Sequence, residues 1–387
     1  MLTSPTFISL IAVLISLLAT VGLASPPRHV KPAPPVQTIE FCSREFLPVS
    51  PALTDLGSST YTRMDGTTTS FTGGLYPNGS NERPAAHTAD GKRMASLVMP
   101  RNANGAPDPD GKIGLLAVGM SNTHREFAAF MTLVSLDQTI NPSLRLVNGA
   151  QGGMVASEWI DPQAPTWNYV DEMLVKRGVT APQIQVAWVK QTNFDINDFP
   201  ADQYELQDNL ETILHHLKSK FPNLALAYFS SRTRSYYYWL GHSPEPGAFE
   251  SAFAVKWLVE DQINGDPNLN FDPENGPVVA PYVSWGPYLW ADGHNPRSDG
   301  LTWMETDMVR DCTHPSPEGA NTVAQMLIDF LKEDETSSRW FLAGGTPPTP
   351  PDPPYEPTTL YMYFPYFWSG WVDTADPGQG GEYYRPR

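Results

Sequence analysis

Apolar and polar positions along this chain change their rhythm near residue 110. Before that point the apolar runs are short and broken by Pro, Thr, Gly and Asn, with turn signals such as YPNGSN at 76–81. This pattern predicts an irregular strap over 26–110 packed on a core. From Gly111 onward, continuous apolar runs alternate with helical periodicity, as expected of a mostly parallel sheet covered by helices. Strands are predicted at 113–118 (IGLLAV), 144–147 (LRLV), 184–189 (IQVAWV), 224–229 (LALAYF) and 277–283 (PVVAPYV). After the first, Phe127, Phe130, Met131 and Val134 share one helical face. After the third, Leu206, Leu210, Ile213, Leu214 and Leu217 recur at spacings of three and four. Another helix is expected around 249–258. The last one opens with Ser316 as cap and Pro317 in its first turn, and buries Ala320, Val323, Ala324, Leu327, Ile328 and Leu331. The fold class is therefore α/β, with a core domain over 111–342.

The two ends read differently. Residues 1–25 are uncharged, apolar from Phe7 to Leu23, and finish in Gly22, Ala24 and Ser25, which predicts a secretory signal and an extracytoplasmic mature chain. No Lys or Arg precedes the run, so an uncleaved anchor is the competing reading. Residues 343–387 hold a stiff proline-rich linker, TPPTPPDPPYEP, and then an aromatic tail, TTLYMYFPYFWSGWVDT. For that tail, docking on the domain and binding a surface or partner stay open.

Composition narrows the classes. A chain of 387 residues that is 41% hydrophobic can bury a sizeable core. With 42 acidic against 25 basic residues the formal charge is −17, which repels a nucleic-acid backbone and excludes nucleic acid as a partner. Two cysteines, Cys42 and Cys312, rule out a four-cysteine zinc site. In an oxidising compartment they would form a disulfide; two unrelated buried thiols are the alternative.

Ligands of open parallel sheets collect at the C-terminal ends of strands, so the residues following each strand are the candidates for chemistry. Ser121, in GMSNT, falls on a tight strand-to-helix turn, where it can serve as a nucleophile or merely cap the helix. NGAQGG at 148–153 offers backbone N–H groups through its glycines. KQTNFD at 190–195 offers the Asn193 amide, with Asp195 close by. In DCTHP, Asp311 and His314 stand three residues apart, and Pro315 keeps His314 off the following helix. Such an acid can orient an imidazole so that its other nitrogen faces a nucleophile; a surface ion pair is the plainer reading. Arg232, Arg234 and Tyr237, in SSRTRSYYYW, are candidate contacts to a polar substrate. Trp285, Trp290 and Trp303 could stack on sugar rings. His124 reads as a rim or surface residue. Adjacent His215 and His216 diverge on a helix, and Asp292 with His294 makes no recognised metal spacing.

Taken together, the serine, the glycines, the asparagine and Asp-x-x-His resemble the SGNH, or GDSL-type, hydrolases over about 111–331. The resemblance implies a three-layer α/β/α sandwich with a flavodoxin-like sheet. It also implies Ser121 as nucleophile, Gly153 as a backbone oxyanion donor with Gly152 the competing alignment, Asn193 as side-chain donor, Asp311 as orienter and His314 as base. Two blocks depart from the family: Met120 stands in the middle of Gly-Asp-Ser, and Gln191 and Phe194 flank the asparagine. No G-x-S-x-G elbow surrounds any serine, which disfavours an α/β-hydrolase.

The expectation is a secreted serine esterase using neither metal nor other cofactor, with an acylated carbohydrate as the favoured substrate and lipid or small esters next. Two other classes remain: a non-catalytic polysaccharide binder, and a metal-dependent hydrolase built on Asp311, His314, Asp292 and His294.

Overall fold

The segment expected as an irregular strap carries more order than its turn residues imply. In a computed structural model, which describes residues 46–194, 196–236 and 244–344, it forms a short helix α1 (Leu53–Leu56), a hairpin of β1 (Thr60–Thr62) and β2 (Thr68–Thr72), and a three-turn helix α2 (Ala85–Ala95). The sequence hides α2 because its inward positions are His87, Gly91, Met94 and Ala95, too small or polar to make an apolar stripe. Gly91 is required there, since a Cβ would come within 2.7 Å of the Tyr282 ring. The expected signal segment, Cys42, Asp195, Tyr237, the linker and the aromatic tail lie outside the described residues.

All five predicted apolar runs enter one sheet: β3 (Ile113–Gly119), β4 (Leu144–Asn148), β5 (Ile184–Lys190), β6 (Leu226–Phe229) and β7 (Tyr282–Trp285). They are parallel throughout, in the spatial order β4-β3-β5-β6-β7. Counted within the sheet this is 2-1-3-4-5, the flavodoxin-like doubly wound order. The last strand lies later than predicted, because Pro277 and Pro281 have no N–H to donate to a ladder.

Strand residues alternate between two covered faces, which makes three layers. Leu116, Val118, Val147, Ala187, Val189 and Phe229 pack against α4 (Pro165–Lys176), α5 (Ala201–Lys220) and α6 (Gly247–Ile263). Leu115, Ala117, Leu146, Val186, Trp188 and Tyr228 pack against α2, α3 (Ser121–Ser135), α7 (Pro317–Glu333) and the short α8 (Ser338–Phe341). Helix α4 has no counterpart in the sequence reading, although Pro165 starts it and Trp167, Val170 and Leu174 are its buried stripe. Because α3 and α4 cross on opposite faces, the sheet opens a crevice beyond the C-terminal end of β3. Ser121 stands at that end.

Candidate active site

Helix α3 starts immediately after β3, and its first residue is Ser121. Gly119 permits the tight turn: a Cβ there would lie 2.3 Å from Thr123 Oγ1 and 2.4 Å from the Lys190 carbonyl oxygen. Met120 occupies the cap position and makes no side-chain hydrogen bond to the first turn. Ser121 is therefore not the helix cap. Its Oγ instead lies 2.6 Å from His314 Nε2. With no side-chain cap, the N–H groups of this helix start face the crevice with their partial positive charge.

The loop ahead of α7 brings the histidine there. Asp311 Oδ1 accepts from the backbone N–H groups of Thr313 (3.0 Å) and His314 (2.8 Å), which closes the turn. Its Oδ2 lies 2.6 Å from His314 Nδ1. Partial burial works to raise the Asp311 carboxyl, but the His314 hydrogen bond and charge and the two N–H groups outweigh it and hold the group below the usual carboxylate range. An ionised carboxylate only accepts, so Nδ1 carries the proton and Nε2 is left to accept from Ser121. Cys312 takes a left-handed conformation (φ 62°) and is disulfide-bonded, whereas Cys42 lies outside the described residues. Ser316 caps α7 by accepting from Gly319 N–H, as its position predicts.

Opposite this loop lie the glycines and the asparagine. Gly152 faces the serine, and a Cβ added to it would fall 3.9 Å from Ser121 Cβ; Gly153 is left-handed (φ 77°). Neither glycine's N–H donates to an acceptor among the described residues. Asn193 is buried, and its Oδ1 accepts from Ser157 N–H at 3.1 Å and from Asn209 Nδ2 at 3.5 Å. The glycine and asparagine segments are also laced together directly. Ala156 N–H donates to the Thr192 carbonyl (2.9 Å), and Gln191 Nε2 donates to Met154 O (3.1 Å). Gln191, a departure from the family pattern, is thus a structural tie.

The residues that follow Ser121 hold the surrounding segments one by one. Asn122 Nδ2 donates to Thr313 O (2.9 Å) and Arg125 Nη1 to Pro315 O (3.3 Å), both on the histidine loop. Thr123 Oγ1 donates to Lys190 O (2.8 Å) at the end of β5, and His124 Nδ1 bonds Ala150 O (2.9 Å) on the glycine segment. Below them, Glu126 and Lys190 form a fully buried pair with Nζ–O distances of 2.5 and 2.6 Å. Burial pushes the Lys190 ammonium down, and Arg232 adds to that push. Sequence reasoning does not find these ties. The available signal is a glutamate beside the apolar stripe of α3 and a lysine closing an apolar strand.

Most of the expected substrate contacts turn inward. Arg234 is fully buried, paired with Asp292, bonded to Leu47 O, and stacked over Phe46. Trp290 is fully buried, with Nε1 donating to Glu245 at 3.0 Å. Trp285 and Trp303 donate to Leu75 O and Leu289 O, so none of the three tryptophans offers a face to a sugar. Arg232 is 2% exposed, and its Nε and Nη1 have no acceptor among the described residues. The four residues of the metal alternative do not converge: Asp292 is taken by Arg234 and Val49 N–H, and His294 bonds Glu305. Among the described residues no group of three or more His, Cys, Asp or Glu side chains is placed to hold a metal ion.

No family model and no curated protein matches this chain. Among solved structures, it is similar to a protein from Slackia heliotrinireducens assigned to the SGNH hydrolases, at 11% identity and a TM-score of 0.30, covering 57% of this chain and 99% of that one. It is also similar to a carbohydrate esterase family 3 protein from Talaromyces cellulolyticus, at 10% identity and a TM-score of 0.34, over 55% and 93% of the two chains. The periplasmic domain of a lipopolysaccharide acetyltransferase from Salmonella ser. Paratyphi A matches at 11% identity and 0.31, over 63% and 97%.

Proposed function

We propose that this protein is a serine esterase that cleaves carboxylic esters through an acyl-enzyme on Ser121. The observation that carries the proposal is the unbroken chain Ser121 Oγ, His314 Nε2, His314 Nδ1, Asp311 Oδ2, with both links at 2.6 Å. His314 takes the Ser121 proton as Oγ attacks the ester carbonyl, and Asp311 steadies the imidazolium that results. The tetrahedral oxyanion is met by the Ser121 N–H, a glycine N–H from Gly152 or Gly153, and Asn193 Nδ2. Collapse expels the alcohol, which receives the proton from His314. Water, deprotonated by the same nitrogen, then releases the acid and frees Ser121.

The acyl and alcohol groups are left general. The case for acylated carbohydrate rests on the tryptophans that crowd the segment before Asp311, and their burial removes that support. A location outside the cytoplasm is supported by the apolar run ending in small residues and by the disulfide at Cys312, with Cys42 as the proposed partner.

Replacing Ser121 by Ala should abolish hydrolysis of a short-chain aryl ester while leaving the thermal midpoint nearly unchanged. Retained turnover in that variant would defeat the mechanism.

A further inference from the structure

We propose that His124 is a positioning residue that sets the oxyanion segment against Ser121; this rests on the esterase reading. The segment in question, 148–153, cannot be fixed by packing at its business end. A Cβ at Gly153 would meet nothing within 4 Å, and one at Gly152 would only graze Ser121. Glycines in open space sample many conformations, so their N–H groups point usefully only if hydrogen bonds hold the chain on either side.

Backbone bonds hold the early part, with Gly149 N–H on Ala117 O and Gln151 N–H on Gly119 O. These tie the segment to β3. The tie to the helix that carries the nucleophile is made by His124, and it runs both ways. His124 Nδ1 bonds Ala150 O at 2.9 Å, and Asn148 Nδ2 donates to the His124 carbonyl at 2.9 Å. A carbonyl can only accept, so Nδ1 carries the proton and Nε2 is turned away from the segment. Burial pushes the imidazole down, and the neighbouring Arg125 adds to this, so the ring is neutral at neutral pH. His124 stands one helical turn after Ser121, so Ser121 and the segment share a single rigid support. The ring never touches the reacting atoms in this role. It acts through Ala150 on the glycines two and three residues further on.

The position of Nδ1 makes this testable with amides. In His124→Asn the amide nitrogen falls where Nδ1 was and can still donate to Ala150; in His124→Gln it falls nearer the place of Nε2 and cannot do so without moving the helix. His124→Ala and His124→Gln should lower kcat on an aryl acetate by about ten- to a hundredfold, with KM within about threefold, the range expected when an oxyanion donor is mis-set. His124→Asn should recover most of the loss. The acid limb of the pH profile should stay in place in all three, and thermal midpoints report whether each variant is folded.

Wild-type kcat in the alanine variant, equal behaviour of the asparagine and glutamine variants, or a displaced acid limb would each overturn the assignment. If instead the wild-type protein shows no turnover and no labelling of Ser121 by a phosphonate, the esterase reading itself has failed and this inference goes with it.

Discussion

Asp311 fixes the tautomer of His314 through its contact with Nδ1, and the proposed mechanism depends on that tautomer. Its two oxygens have separate roles. Oδ1 closes the turn on the backbone of residues 313 and 314, and Oδ2 takes Nδ1–H. An asparagine can still accept at one atom but presents N–H at the other, so Asp311→Asn should strand the imidazole in the wrong tautomer. The expected result is a kcat lower by roughly 10³- to 10⁴-fold, measured on an aryl ester, with a nearly unchanged thermal midpoint because the side chain is 45% exposed and the amide keeps the turn closed. This pair is legible in the sequence because an acid, a histidine and a proline at fixed spacing leave few geometries. Arg234 and Trp290 are misread for the opposite reason. Both stand near the C-terminal ends of strands, but sequence position does not say which way a side chain points, and theirs turn to Asp292 and Glu245.

At the scale of elements, the start of α3 is the piece on which the site is assembled, since its first polar side chains grip the neighbouring segments. The glycine segment is the softest part of that assembly. Gly153→Ala forces a side chain into φ 77° and should cost about 1 kcal/mol of stability in chemical denaturation. Gly152→Ala should leave stability alone, because its methyl would sit 3.9 Å from Ser121 Cβ, an ordinary contact. That methyl intrudes where an acyl carbon would lie, so kcat/KM should fall. If both variants kept full activity, the donors would lie elsewhere. Strands and long helices are readable from their periods. Helix α2 is not, because its inward face is His87, Gly91, Met94 and Ala95, and the cross-links of α3 are not because they join residues 26 to 191 positions apart.

Over the whole molecule, the part ahead of residue 111 belongs to the fold as much as the sheet does. Tyr61 of β1 is fully buried and donates to Glu250 of α6, while His87 of α2 stacks on Tyr282 and bonds Val283 O at 2.8 Å. Burial pushes the His87 imidazole down to about 4, against an ordinary 6.5. Between those values the unfolded chain takes up a proton that the native one refuses, so stability falls as pH drops through that window. The loss is on the order of 3 kcal/mol. His87→Gln, which keeps a donor near the place of Nε2, should flatten the dependence of stability on pH between about 4 and 6.5. An unchanged slope would mean that the charge is tolerated there. None of this alters the site; it anchors the frame in which the distances between β3, the glycine segment and the histidine loop are kept.

Ser121 as a nucleophile activated by His314 is open to direct chemical labelling. The most direct measurement is treatment of the wild-type protein and of Ser121→Ala and His314→Ala with a serine-directed aryl phosphonate, followed by digestion and mass spectrometry. One adduct is expected, on the peptide containing Ser121, absent from Ser121→Ala and formed at least ~10²-fold more slowly without His314. An unlabelled wild-type Ser121, an adduct on another serine, or labelling indifferent to His314 would contradict that role for Ser121.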